Sequence, residues 1–286
     1  MITCNLMGGL GNQLFQIFTT ISYAIKSKNK FGFLDLKTLG GEGSTTLRYT
    51  FWETVFSSIK PFLIQKMPQP IHVIREKGFH YNELPVHEME NRNVMIYGYF
   101  QSYKYFQENY DIIYRLLKID NMKNDILKHL DLSSEYMENT VSIHFRIGDY
   151  KQIQHIHPLA TYDYYERTLQ YLQSIHPNKE FNIVYFCENS DIEDVLNIIN
   201  KLTDKFPMYN IKRGLNTLDD WEQMLLMSCC HHNIIANSSF SWWSAYFNSN
   251  KDKIVCYPSV WFGQAANHDT KDLCPPGWTK IKVQEH

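Results

Sequence analysis

The chain has 286 residues, 44% hydrophobic and 20% charged, with a formal net charge of −2 and no block of like charge. This is the balance of an ordinary globular protein long enough for two domains, and it lacks the basic footprint of a nucleic-acid binder. No stretch approaches the ~18 apolar residues of a membrane span.

The six cysteines are scattered without C-x-x-C spacing, which suits a reducing compartment rather than a disulfide framework. The opening "MITCNLMGG" has neither the basic nor the apolar region of a signal peptide, so a soluble, cytoplasmic protein is expected. Aromatic residues reach 15%, with 19 Tyr, and read first as core and second as a sugar-binding surface. His155/His157 and His231/His232 are close pairs outside any metal-binding pattern, so no metal site is expected.

In chain order, a short strand from Ile2 to Leu6 runs into "MGGLGNQLFQIFTTISYAIKSKNK". Leu14, Ile17, Phe18, Ile21 and Ile25 recur there at helical spacing, which predicts an amphipathic helix over 12–28. "FGFLDL" reads as a second strand. Residues 38–95 read as irregular, with Gly40, Gly41, Gly43 and three prolines between 61 and 70. "VMIYGYF" gives another strand, a helical stretch follows over 103–118, and the polar residues 121–139 read as helix and linker.

The second half is more regular. A strand over 140–147 precedes the helix "YDYYERTLQYLQSI", and "FNIVYFC" is a continuous apolar run that fits a strand buried on both faces. Helices "SDIEDVLNIINKL" and "DDWEQMLLMSCC" follow, then the strand "NIIAN", the segment "SSFSWWSAYFN" and the strand "KIVCYPS". Strands alternating with helices predict parallel sheets built from βαβ units. The expected division is a first domain over 1–138 and a second over 139–286.

Three segments place polar chemistry where open α/β sheets bind ligands, beyond the carboxyl ends of strands. In "VSIHFRIGDY", residues 141–150, Val141, Ile143, Phe145 and Ile147 alternate with Ser142, His144 and Arg146. Arg146 offers a fixed fork of donors suited to phosphate oxygens, and Asp149 follows it; a structural Arg–Asp pair is the competing reading. In "IIANSSFSWWSAYF", Ser238 and Ser239 fall where a strand turns into a helix. That is either an anion site or ordinary serine capping. In "GGLGNQLFQ", Gly8, Gly9 and Gly11 allow close backbone approach before a helix, but neither a Walker loop nor a complete G-x-G-x-x-G is present.

Together these segments resemble glycosyltransferase family 11, the α-1,2-fucosyltransferases, which are related to the α-1,6- and protein O-fucosyltransferases. "GGLGNQLFQ" is similar to the family's N-terminal signature, "HFRIGDY" to its H-x-R-R-G-D-Y motif, and "NSSFSWWSAYF" to its third block. "LLMSCCHHNIIANSSFSWW" and the closing "YPSVWF…PPGW" extend the resemblance over essentially the whole chain.

The resemblance implies a GT-B-like α/β fold of two Rossmann-like domains facing across a cleft, the second holding GDP-fucose and the first serving the acceptor. It implies inverting transfer of L-fucose from GDP-β-L-fucose to the 2-hydroxyl of a terminal β-galactoside, with a glycan acceptor as the other partner and no cofactor. An α-1,6- or protein O-fucosyltransferase, or a non-catalytic sugar-binding protein on the same scaffold, are the alternatives.

By the same resemblance, Arg146 meets the donor diphosphate and His144 lies against the nucleoside. Asn237, Ser238, Ser239 and Phe240 complete the cradle, and Glu188 or Asp191 reads guanine. The chain has Glu188-Asn189-Ser190-Asp191 where the family shows S-D-D, and Ile147 where it shows a second arginine. Asp149, then His157, is the expected base, and Asn12 orients donor or acceptor. No two aspartates are spaced D-x-D, so metal-independent transfer is expected.

Overall fold

The computed structural model describes residues 1–40, 47–86 and 91–283. Two compact units form, Met1–Met122 with His268–Pro275, and Lys123–Asn267 with the stretch that begins at Pro276. The expected division at 138/139 therefore differs from the observed one, which falls inside a helix, and a short return segment near the C-terminus folds with the first unit.

The first unit runs β1 (Ile2–Cys4), α1 (Leu10–Lys26), β2 (Phe33–Leu34), β3 (Thr38–Leu39), β4 (Arg48–Tyr49), β5 (Leu63–Ile64), β6 (His72–Arg75), β7 (Val94–Tyr97) and α2 (Tyr110–Leu116). Its main sheet has the order β1-β7-β6, parallel throughout. β2 lies in the expected strand "FGFLDL" and pairs with β5, while β3, β4, β5 and β6 fall in the segment expected to be irregular; at two to four residues each they are too short to leave a periodic trace in sequence. The helix expected over 103–118 is broken into 3₁₀ turns at Tyr103–Tyr105 and Gln107–Asn109 before α2 begins.

α1 is less amphipathic than its apolar spacing predicts. Gln13, Gln16, Thr19, Thr20 and Ser22 are buried along with Leu14, Phe15, Ile17, Phe18 and Ile21. Some of these polar groups are paired: Gln13 Nε2 donates to Gly8 O at 3.0 Å and Tyr49 O at 2.8 Å, and Thr20 Oγ1 donates to Gln16 O at 2.6 Å, whereas Gln13 Oε1 and Thr19 Oγ1 have no hydrogen-bond partner. Such pairing offsets the cost of burying polar groups.

The helix α3 (Ile119–His129) crosses the division, and the second unit continues α4 (Ser134–Glu138), β8 (Thr140–His144), α5 (Tyr162–Ile175), β9 (Asn182–Phe186), α6 (Ile192–Lys205), β10 (Asn210–Arg213), α7 (Asp220–Cys229), β11 (His232–Ile234), α8 (Ser239–Phe247), β12 (Val255–Pro258) and β13 (Thr279–Ile281). Its sheet has the order β10-β9-β8-β11-β12-β13, every pairing parallel. In that unit's own sequence this is the doubly wound order 3-2-1-4-5-6, with its topological switch point between β8 and β11. The α/β class with parallel sheets in both halves is what the sequence pattern predicts.

Val141, Ile143, Phe145 and Ile147 all enter one core with Leu169, Ile183, Val195, Leu202 and Ile234. β8 ends at His144, three residues before its expected end, yet Ile147 stays 7% exposed and in that core. The expected opposition of Ile147 and Arg146 therefore survives the early end of the strand. β9 is half-buried at Asn182 and Val184 rather than buried on both faces.

Candidate functional site

Two tyrosines of α5 fix the strand ends at the switch point. Tyr165 Oη donates to His144 O at 3.1 Å, and Tyr164 Oη donates to Ile235 O at 2.6 Å and Cys256 O at 3.0 Å. Both side chains are fully buried. Carbonyls at the ends of β8 and β11, and one inside β12, thereby gain a side-chain donor, and the loops after β8 and β11 start from fixed points.

From the end of β8 the chain projects Arg146. Its guanidinium donates through Nη1 to Glu188 Oε1 and through Nη2 to Asp149 Oδ1, and its Cζ lies 4.8 Å from the centroid of the Tyr150 ring. Burial alone would lower the Arg146 pKa, but Glu188 and Asp149 raise it above its ordinary value, so the group is a permanent cation. Two of the five N–H bonds of the fork go to these carboxylates, and the fork's plane is set by them.

The Arg–Asp pair weighed at the sequence level thus forms, with Glu188 as a third member. The side chains of Asp149 and Glu188 keep 55% and 56% exposure. Asp191 behaves differently: it is 3% exposed, and its Oδ2 accepts from Gly148 N at 2.8 Å. Gly148 has φ +34, and a Cβ there would sit 3.2 Å from Arg146 Nη1 and 3.3 Å from Glu188 Oε2. Glycine lets the turn pass beneath the guanidinium.

From the end of β11 the chain supplies Asn237, Ser238, Ser239 and Phe240. Ser238 is the N-cap of α8, its Oγ accepting from Phe240 N at 3.3 Å. Ser239 and Phe240 are half-buried. His144 and Phe240 rings lie 5.4 Å apart. His144 is 7% exposed, its Nδ1 has no hydrogen-bond partner, and burial followed by the Arg146 charge pushes its pKa down to about 3. It is a neutral imidazole at neutral pH.

Asn237 is a brace. Its Nδ2 donates to Pro158 O at 2.8 Å and Trp261 O at 3.1 Å, tying the loop after β8 to the loop after β12, while its backbone carbonyl accepts from Tyr150 Oη at 3.4 Å. His157 stacks on Tyr150 at 4.6 Å and meets Phe262 at 5.4 Å. The second unit thus gathers His144, Arg146, Asp149, His157, Glu188, Asp191, Asn237, Ser238, Ser239 and Phe240 around one switch point.

Sequence reasoning singled out neither Tyr150 nor the tyrosine pair of α5. Tyr150 closes the quoted "HFRIGDY" stretch, four residues beyond Arg146, and that spacing was the available clue. Gly8, Gly9, Gly11 and Asn12 belong to the first unit. Gly8 has φ +75, Gly9 is the N-cap of α1, Gly11 is buried in its first turn, and Asn12 follows.

A site made of a fixed guanidinium, a capped helix start and a neutral imidazole at a switch point suits an anionic nucleotide ligand. Among the described residues, no group of His, Cys, Asp or Glu is arranged to hold a metal, and no helix is long and apolar enough to cross a membrane.

Comparison with known proteins gives the chain its relatives. An O-antigen biosynthesis glycosyltransferase, WbnK, of Escherichia coli is 31% identical over 193 residues, 65% of this chain and 60% of that protein's length. An alpha-1,2-colitosyltransferase of Escherichia coli is 27% identical over 99% of both chains. A galactoside 2-alpha-L-fucosyltransferase of Caenorhabditis elegans is 22% identical over 100% of this chain and 80% of its own. Among solved structures, Arabidopsis thaliana FUT1 with GDP covers 89% of this chain and 69% of its own, at 8% identity and a TM-score of 0.46. The profile of glycosyl transferase family 11 matches residues 1–282, and the chain belongs to that family.

Proposed function

We propose that the chain transfers L-fucose from GDP-β-L-fucose to the 2-hydroxyl of a terminal β-galactoside, with inversion at the anomeric carbon. The observation that carries this reading is the convergence at the switch point of Arg146 and the Ser238-capped start of α8, in a chain of this family. The relatives matched over nearly its whole length, one named for colitosyl and one for fucosyl transfer, support a fucose-type donor.

In the reaction the acceptor oxygen bonds to the anomeric carbon as the bond from that carbon to the diphosphate breaks. GDP leaves with the electron pair, and Arg146 with the first N–H groups of α8 meets the charge that develops on it. Asp149 spends one carboxylate oxygen on Arg146; its second oxygen is the first candidate for the hydroxyl's proton and His157 the next. His144 and Phe240 form the apolar wall for the nucleoside, and Glu188 with Asp191 flanks the base.

Release of GDP from GDP-fucose with and without a lactose-type acceptor, followed by linkage analysis, tests the function. Acceptor-dependent release with an α-1,2-linked product supports it. GDP binding without turnover on any galactoside would point to the non-catalytic alternative. Because one relative is a colitosyltransferase, and colitose is fucose without its 3-hydroxyl, the 3-deoxy donor is the parallel arm; a large preference for it would change the donor but not the reaction.

Two outcomes follow from the geometry. Transfer should survive excess EDTA, because protein cations meet the diphosphate; a rate that collapses in chelator and returns with Mn²⁺ would refute metal independence. Tyr150→Leu removes the ring beneath Arg146, a contact worth about 0.5–2 kcal/mol. It should weaken GDP binding roughly two- to thirtyfold by calorimetry, whereas Tyr150→Phe, which keeps the ring and loses the hydroxyl's hydrogen bond with Arg146, should lose less. Equal losses in the two variants would show that the hydroxyl, not the ring, supports Arg146.

A further inference from the structure

In the first unit, the carboxyl end of β7 carries a built device that ends on Asn12. Glu76, just past β6, accepts from Tyr99 N at 2.7 Å and Phe100 N at 2.9 Å. Room for its side chain comes from Gly98, where a Cβ would lie 2.3 Å from Glu76 Cβ. Phe100 is fully buried at φ +52, a conformation that costs a non-glycine residue energy and persists only when its surroundings impose it. The clamp fixes where the next residue, Gln101, points.

Gln101 is 8% exposed, and its Nε2 donates to Asn12 Oδ1 at 2.8 Å. An amide has one accepting end and one donating end, so this bond sets the sense of the Asn12 side chain: oxygen toward Gln101, nitrogen away from it. The nitrogen stands over Gly8, where a Cβ would fall 2.4 Å from Nδ2. The glycine loop leaves space for that amide nitrogen, with Gly8 held at φ +75.

We propose that Gln101 is a positioning residue, which turns the Asn12 amide so that its N–H groups donate, above the glycine loop, to a ligand oxygen. That oxygen belongs either to the sugar nucleotide or to the acceptor hydroxyl. The inference rests on the transferase reading above and adds to it a residue that no motif marks.

Gln101→Glu is the decisive variant. An ionised carboxylate only accepts, so it draws Asn12 Nδ2 toward itself and turns Oδ1 to the ligand. Turnover should fall roughly tenfold or more, the scale of a buried polar group left mispaired. Protonating the introduced carboxylate makes it a donor again, so the ratio of variant to wild-type rate should recover as the pH is lowered, which a simple packing defect would not do. Gln101→Met, which removes the bond without reversing it, should fall between the two. A raised KM for GDP-fucose assigns the ligand oxygen to the donor, and a raised KM for the galactoside assigns it to the acceptor.

The amide can also be watched without substrate. In asparagine-labelled wild-type protein, the Asn12 side-chain protons should show NOE cross-peaks to the Gly8 α-protons. Those peaks should vanish in Gln101→Glu at neutral pH. A Gln101→Glu enzyme with wild-type turnover, or one that keeps the cross-peaks, overturns the proposal. If wild type itself transfers nothing from GDP-fucose, the functional reading fails, and the cross-peaks still judge the positioning claim.

Discussion

Arg146→Ala should lower turnover per folded molecule by roughly a hundredfold or more, because removing a group that meets developing anionic charge costs on the order of 3 kcal/mol. The fold should tolerate the change. Asp149 and Glu188, which lose their partner, are already more than half exposed and remain hydrated, so no buried charge is left unpaired. Arg146→Lys keeps the charge, but a lysine ammonium cannot hold two carboxylates in one plane while lying flat over Tyr150. Rescue should therefore be partial.

The control is the adjacent residue. Ile147 is 7% exposed and packs into the sheet core. Ile147→Ala should cost about 2–5 kcal/mol of stability and leave turnover per folded molecule nearly unchanged. Melting and transfer assays on each variant separate the two effects. A stable Ile147→Ala with crippled turnover, beside an active Arg146→Ala, would place the anion site elsewhere.

The second unit is readable in sequence because its central strands β8, β9 and β11 are largely buried and alternate with well-marked helices. The alternation of Val141, Ile143, Phe145 and Ile147 marked one face, and glycine and aspartate marked the strand's end. What was not legible is how the loops hold one another. Asn237 stands beside Ser238 and Ser239 in the sequence, but its Nδ2 also ties down Pro158 and Trp261, residues 79 and 24 positions away, while its Oδ1 is buried without a hydrogen-bond partner. No local pattern encodes a brace of that span. The polar edge strand β10 and the short β13 left no hydrophobic run, and both were missed.

The first unit was harder to read, since its small strands carry two to four residues each. Its division from the second unit falls inside α3, at the start of the polar stretch 121–139 read as helix and linker rather than at its end. Return of His268–Pro275 to the first unit rests on Asp272, which accepts from Lys104 Nζ at 2.5 Å and Tyr81 N at 3.2 Å. A single aspartate near the C-terminus gives no warning of that. The resemblance named the family correctly without any of these contacts, because motifs report strand ends and helix starts, and those are local.

Mild acid should destabilise the second unit through two buried imidazoles. His144 and His232 are 7% and 1% exposed, and each has its pKa pushed down to about 3. Burial is the main cause for both, joined by Arg146 for His144 and by His231, His176 and Lys179 for His232. Both are neutral in the fold, and His232 Nδ1 accepts from Ile254 N at 3.0 Å. The unfolded chain binds protons at these positions below about pH 6.5, while the folded chain does not until near pH 3. Their contribution is thus complete above about pH 6.5 and is lost as the pH falls, at about 1.4 kcal/mol per unit for each group. Urea unfolding followed by tryptophan fluorescence reports chiefly on this unit, which holds Trp221, Trp242, Trp243, Trp261 and Trp278. Between about pH 6 and 5 these two groups should together contribute about 2.7 kcal/mol per unit of slope, and His231, whose pKa burial also lowers, adds to it. His232→Asn offers an amide oxygen to Ile254 N and takes up no proton, so it should remove about half of the slope. A flat profile over that range would mean that these imidazoles are already charged in the fold, and the neutral wall assigned to His144 beside Arg146 would have to be abandoned; a slope unchanged in His232→Asn would remove His232 alone from the account.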